Sequence, residues 1–149
     1  MQITIEAIDT DTVQRLGCMQ VPSFRTKFSS SAIEGWARFV PAHGDPDACV
    51  GKSFYVEIGH ERVTDMKRVD DQIFNESVVA LDESEAFQVF GIVTAVMPLS
   101  EPPGNVILSV ASGEAIFTLD RCDLGETELY VGEKVAFVAH ELSLWDEAI

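Results

Sequence analysis

The sequence predicts a mostly β domain: an antiparallel sandwich or partly open barrel of about nine or ten short strands with one or two short helices. Three observations carry that expectation. Apolar residues recur with period two along most of the chain, as half-buried strands require. Turn-forming clusters interrupt them about every 8–12 residues, a spacing typical of sandwiches and barrels. The third is size: 149 residues with 46% hydrophobic and 23% charged composition suit one self-sufficient domain, 1–149.

The elements follow in order. Ile3, Ile5 and Ala7 alternate with Gln2, Thr4 and Glu6 as a first strand. Asp9-Thr10-Asp11-Thr12 offers N-cap chemistry ahead of Val13 and Leu16, and Gly17 can stop a turn, so a short helix is expected at about 11–17. Phe24, Thr26 and Phe28 give the next strand, and Ile33 to Val40 another. Pro41 to Lys52 reads as a loop, with two prolines and two glycines. Phe54, Val56 and Ile58 form a strand that Gly59-His60 is expected to reverse into Arg62–Val69 as a hairpin. Asp71 to Leu81 fits either period, and the alternation through Phe74, Val78 and Ala80 tips it towards a strand.

Phe87 to Met97 is apolar on both parities, as in a central strand covered on both faces. A loop over Glu101-Pro102-Pro103-Gly104-Asn105 precedes a hairpin of Val106–Val110 and Ala115–Leu119. Cys122 to Leu129 has room for one helical turn, and Val135 to Leu142 is the expected last strand. Beyond it, Leu144, Trp145 and Ile149 imply a docked tail, since free ends rarely carry large apolar groups. This order of long strand, hairpin, helical connection and strand resembles an oligonucleotide/oligosaccharide-binding barrel, an analogy of fold that implies no activity. A weak internal duplication is also expected, with halves of about 1–80 and 81–149, from matching Ala32-Ile33-Glu34 and Trp36 to Ala86-Phe87-Gln88 and Phe90.

Charge narrows the function classes. The net charge is −15, and its distribution is lopsided: 1–80 carries 12 acids and 8 bases, whereas 81–149 carries 13 acids against Arg121 and Lys134 alone. Such a chain repels phosphate backbones and anionic lipid surfaces, so neither nucleic acid nor membrane is an expected partner. A basic protein or peptide is what the field would steer in. The first half holds 8 of the 10 basic residues, including Arg62, Lys67 and Arg68 on one expected strand, which also allows head-to-tail pairing with the acidic second half in a homo-oligomer. Three cysteines without a CxxC pair, and an N-terminus without a signal-like apolar block, point to reduced thiols in the cytoplasm. No motif for a nucleophile, phosphate loop or cofactor occurs, and no cofactor is expected.

The expected function is therefore a non-enzymatic, acidic protein-binding module of the inhibitor or immunity kind. Its contact residues are Asp120, Asp123, Leu124, Glu126, Glu128, Tyr130 and Glu133, where carboxylates surround apolar anchors. Two alternatives stand beside it. A β-barrel binding a small molecule or carbohydrate would use Trp36 and Tyr55 as stacking surfaces. A metal-dependent enzyme would draw on His43, Asp45 and Asp47, close to Cys49, although no second ligand cluster follows at zinc-site spacing.

Overall fold

The computed structural model describes residues 1–70, 74–82, 84–101 and 104–148. They form a mostly β protein of eleven strands, one 3-10 turn at Pro46–Cys49 and one four-residue helix. The strands make two sheets. The first is a closed barrel of β1 (Gln2–Leu16), β2 (Val21–Ser29), β3 (Glu34–Val40), β11 (Ser143–Asp146) and β4 (Ser53–Gly59), with β4 returning to β1. The second runs in the order β5 (Arg62–Arg68), β10 (Lys134–His140), β7 (Phe87–Pro98), β8 (Val106–Ser112) and β9 (Ala115–Leu119), and β6 (Ser77–Ala80) pairs the start of β7.

The same succession occurs twice. In each sheet an antiparallel meander of three strands (β1-β2-β3 or β7-β8-β9) leads through a short helical turn to a fourth strand that returns beside the first. The fifth position is filled reciprocally. β5 follows β4 after two residues but pairs β10 of the other sheet; β11 follows β10 after two residues but pairs β4, and lies parallel to β3. Each unit is thus completed by a strand that belongs, in sequence, to its neighbour. Parallel pairing of β11 with β3 closes the first barrel; in the second sheet the helix α1 (Arg121–Leu124) lies against both β9 and β5.

One core serves both sheets. Ile3, Ile5, Phe28, Phe39, Val56 and Leu144 fill the first, and Phe87, Val89, Leu108, Phe117, Leu119 and Phe137 the second, all within one buried cluster. The rings of Phe28 and Phe87 meet between the units at 6.1 Å. Gly35 makes room there, since a Cβ on it would lie 2.9 Å from the Phe87 ring. Burial shows which strand is innermost: every residue from Val135 to Ala139 in β10 is buried.

Three expectations are corrected. No helix forms at 11–17: β1 runs through Leu16, because residues 14–16 pair in register with Ser23, Pro22 and Val21 of β2 beyond an irregularity between Asp9 and Gln14. Thr10, Thr12 and Val13 are β-branched and suit that ladder, and Gly17 (φ 70°) turns the hairpin instead of ending a helix. Gly59-His60 does not fold β4 back onto β5; it carries the chain across to the second sheet. β7 is central, but it alternates between buried and half-buried residues from Phe87 to Val93, with Phe90 and Ile92 only partly covered.

The ambiguous segment before Leu81 contains strand β6, and Leu144 and Trp145 sit in β11 with Leu144 fully buried. Residues 71–73 and Ile149, on which parts of those expectations fall, lie outside the described residues, as do Pro102 and Pro103. The match of Ala32–Trp36 to Ala86–Phe90 sets β3 against β7, whereas strand order sets β3 against β9.

Candidate protein-binding surface

The acidic connection from β9 to β10 is built by its own carboxylates. Asp120 caps α1, accepting from the backbone N–H groups of Cys122 (2.8 Å) and Asp123 (3.1 Å). Asp123 answers by accepting from the Asp120 N–H at 3.0 Å, completing a capping box. The same carboxylate meets His60 Nε2 at 3.1 Å, with only 7% of the His60 side chain and 12% of the Asp123 side chain exposed. Burial alone would push the Asp123 pKa up; the hydrogen bonds from His60 and the Asp120 N–H outweigh it and hold the group below its ordinary value. His60 stands in the crossover between β4 and β5, so this pair ties the first half's chain to the second sheet. Its Nδ1 is buried without a partner.

Glu133 is likewise engaged. It accepts from the Tyr130 N–H (2.7 Å) and from Arg68 Nε (2.8 Å), and those contacts, the backbone one first, keep its carboxyl below the usual range. The Arg68 guanidinium also donates to the Glu128 carbonyl. Leu124 and Leu129 are buried in the core. Of the seven contact residues expected from sequence, the structure leaves Glu126, Glu128 and Tyr130 facing solvent, Tyr130 with 62% exposure. Asp120 is also exposed, though committed to its cap. Under Tyr130 and Glu128 opens a groove of about 230 Å³ floored by Val96, Val106, Leu108 and Leu129, with Arg121 at its side.

The other candidates lie elsewhere. Trp36, on β3 opposite Lys27, carries the Arg25 guanidinium 4.1 Å above its ring, so one of its two faces is occupied. Tyr55 stands exposed on β4 opposite Gln2. His43, Asp45 and Asp47 are exposed, and Asp45 caps the 3-10 turn by accepting from the Asp47 N–H at 3.0 Å. Burial pushes the neighbouring Cys49 thiol up, which disfavours a thiolate ligand. Among the described residues no three His, Cys, Asp or Glu side chains gather as a metal ion would need. His140, at the end of β10, bonds the Thr64 hydroxyl at 2.7 Å, and burial, assisted by Arg62, lowers its pKa.

Sequence reasoning missed a second acidic surface. Glu57 of β4, Glu114 of the β8–β9 turn and Glu147 after β11 line one cavity of about 320 Å³ between the units, with Met1 and Ile116. A neighbouring cavity of about 440 Å³ shares Glu57 and Glu147 and adds Met19 and Trp145. These residues come from five separate stretches of chain, so no local motif could have revealed them.

No family model, curated protein or solved structure matches the chain. The described residues include no helix long and apolar enough to cross a membrane.

Proposed function

We propose that the protein is a non-enzymatic binding module that engages a basic protein or peptide through its acidic surface, in the manner of an inhibitor or immunity protein. The observation that carries this reading is the β9–β10 connection. Glu126, Glu128 and Tyr130 project from a segment fixed by a capping box, an Arg68–Glu133 pair and two buried leucines, beside an apolar groove. A charged rim around an aromatic anchor on a rigid base suits a steered, specific contact. Internal pairing trims the field without cancelling it: Glu85 is held by Arg25 and Arg38, and Glu133 by Arg68, while Glu126 forms no ion pair among the described residues. The same field disfavours nucleic acid and anionic lipid. Three free cysteines, two of them exposed, accord with a reducing compartment such as the cytoplasm.

The test is capture of partners from the native host at low and high salt, followed by association kinetics with the partner found. Glu126→Lys with Glu128→Lys is expected to slow association roughly tenfold at low salt and to flatten its salt dependence. A partner without a cationic surface, or an unchanged association rate, would overturn the proposal.

A further inference from the structure

A trough opens between the two units, beside β4 and β9. Apolar groups line part of it: Met19 is 75% exposed and Ile116 56%, with Trp145 and Met1 beside them. Three carboxylates, Glu57, Glu114 and Glu147, stand along it, and none has an ion pair among the described residues. The cation present is the Met1 ammonium, which donates to the Val56 carbonyl at 3.0 Å.

We infer that this trough is where the basic partner inserts an amphipathic segment, laying apolar side chains on Met1, Met19, Ile116 and Trp145 and its Lys or Arg residues against Glu57, Glu114 and Glu147. The inference rests on the proposed function and names the partner's chemistry. Charge complementarity selects the occupant: an acidic or neutral segment would bury three uncompensated carboxylates, which is costly. Methionine's unbranched, polarizable side chain adapts to varied apolar shapes, so Met-lined grooves accept such segments readily. Two adjoining cavities of about 320 and 440 Å³ match the volume range of ligand-sized pockets.

The chain's four methionines provide the assay, since Met1 and Met19 lie in the trough, Met66 is on β5, and Met97 follows Val96 of the other groove. The full chain, carrying carbon-13 methionine methyl groups, is titrated with a short amidated peptide in which Lys alternates with Leu and Trp. Expected are shifts at Met1 and Met19 with Met66 and Met97 unmoved. Affinity should fall at least tenfold when Ser replaces Leu and Trp, or when the protein carries Glu57→Lys and Glu114→Lys; Glu34→Lys with Glu101→Lys, an equal change of charge at exposed positions outside both surfaces, should change it less than twofold. Movement of Met97 alone would overturn the inference while leaving the proposed function standing on the β9–β10 connection. Absence of binding at millimolar peptide would overturn it too, with the proposed function still decided by its own captured partner. Equal binding of spermine at Met1 and Met19 would assign the trough to small polycations, and concentration-dependent shifts without peptide would assign it to a second copy. Either result refutes the amphipathic segment.

Discussion

Replacing Asp123 with Ala isolates the contact that pins the β4–β5 crossover to the second sheet. The carboxylate accepts from His60 at 3.1 Å and from the Asp120 N–H at 3.0 Å, with both side chains almost wholly covered. A hydrogen bond to a charged group contributes about 1.5–3 kcal/mol, and loss of one arm of a capping box adds about 1 kcal/mol. Asp123→Ala should therefore cost about 3 kcal/mol, which for a chain of this length lowers the melting temperature by roughly 6–12 °C. Asp123→Asn keeps an oxygen able to accept both bonds and loses only the charge, so its cost should be about 1 kcal/mol. Urea unfolding of the three proteins from pH 3 to 8 reads these differences. Because the folded Asp123 pKa lies below its unfolded value, the wild-type advantage over Asp123→Asn is complete above the ordinary Asp pKa of about 3.9 and shrinks as pH falls through the folded value. A loss under about 0.5 kcal/mol for Asp123→Ala would refute the pinning role, as would curves for wild type and Asp123→Asn that stay parallel across the acid range.

Three further outcomes follow from packing. Gly91→Ala places a Cβ 2.7 Å from the Ala111 carbonyl oxygen, a backbone atom fixed by pairing of β7 with β8, and should cost about 1–3 kcal/mol by urea midpoint at unchanged slope. Phe87→Ala empties the contact with Phe28 between the units and should cost about 3–5 kcal/mol, measured the same way. Ending the chain at Glu141 deletes β11 and leaves β3 and β4 with open edges, so the shortened protein should lose its sharp thermal transition and expose apolar surface to a dye such as ANS.

Period-two patterning was enough to reveal the β class, because each strand's buried face is written in its own alternation, as Ile3, Ile5 and Val56 show. Pairing was not legible. The residues at Gly59-His60 look the same whether a chain folds back or crosses, and the competitor that wins, β10, lies some seventy residues away. At 11–17 two apolar residues at helical spacing with capping residues before them suggest a helix against the β-branched Thr12 and Val13, and a ladder partner at Val21–Ser23 decides for the strand. One signal of the repeat is present in the sequence: Val50-Gly51 precedes β4 and His60-Glu61 follows it, much as Val131-Gly132 precedes β10 and His140-Glu141 ends it, and both glycines adopt positive φ. The acidic β9–β10 connection was legible in composition, yet composition could not separate Glu126 and Glu128, which face solvent, from Asp123 and Glu133, which hold the segment in place. The trough was invisible, being assembled only by folding.

The exchange of β5 and β11 sets an order of events during synthesis. The first barrel lacks a wall until Ser143–Asp146 have left the ribosome, although every other strand of it lies within the first 59 residues. Until then β3 has β2 beside it and β4 has β1, and each keeps one open edge while about eighty residues more are translated, a stretch in which a holding chaperone would find strand edges to cover. The second sheet has all its strands once His140 is made, so it can close while the first barrel still waits for its last wall.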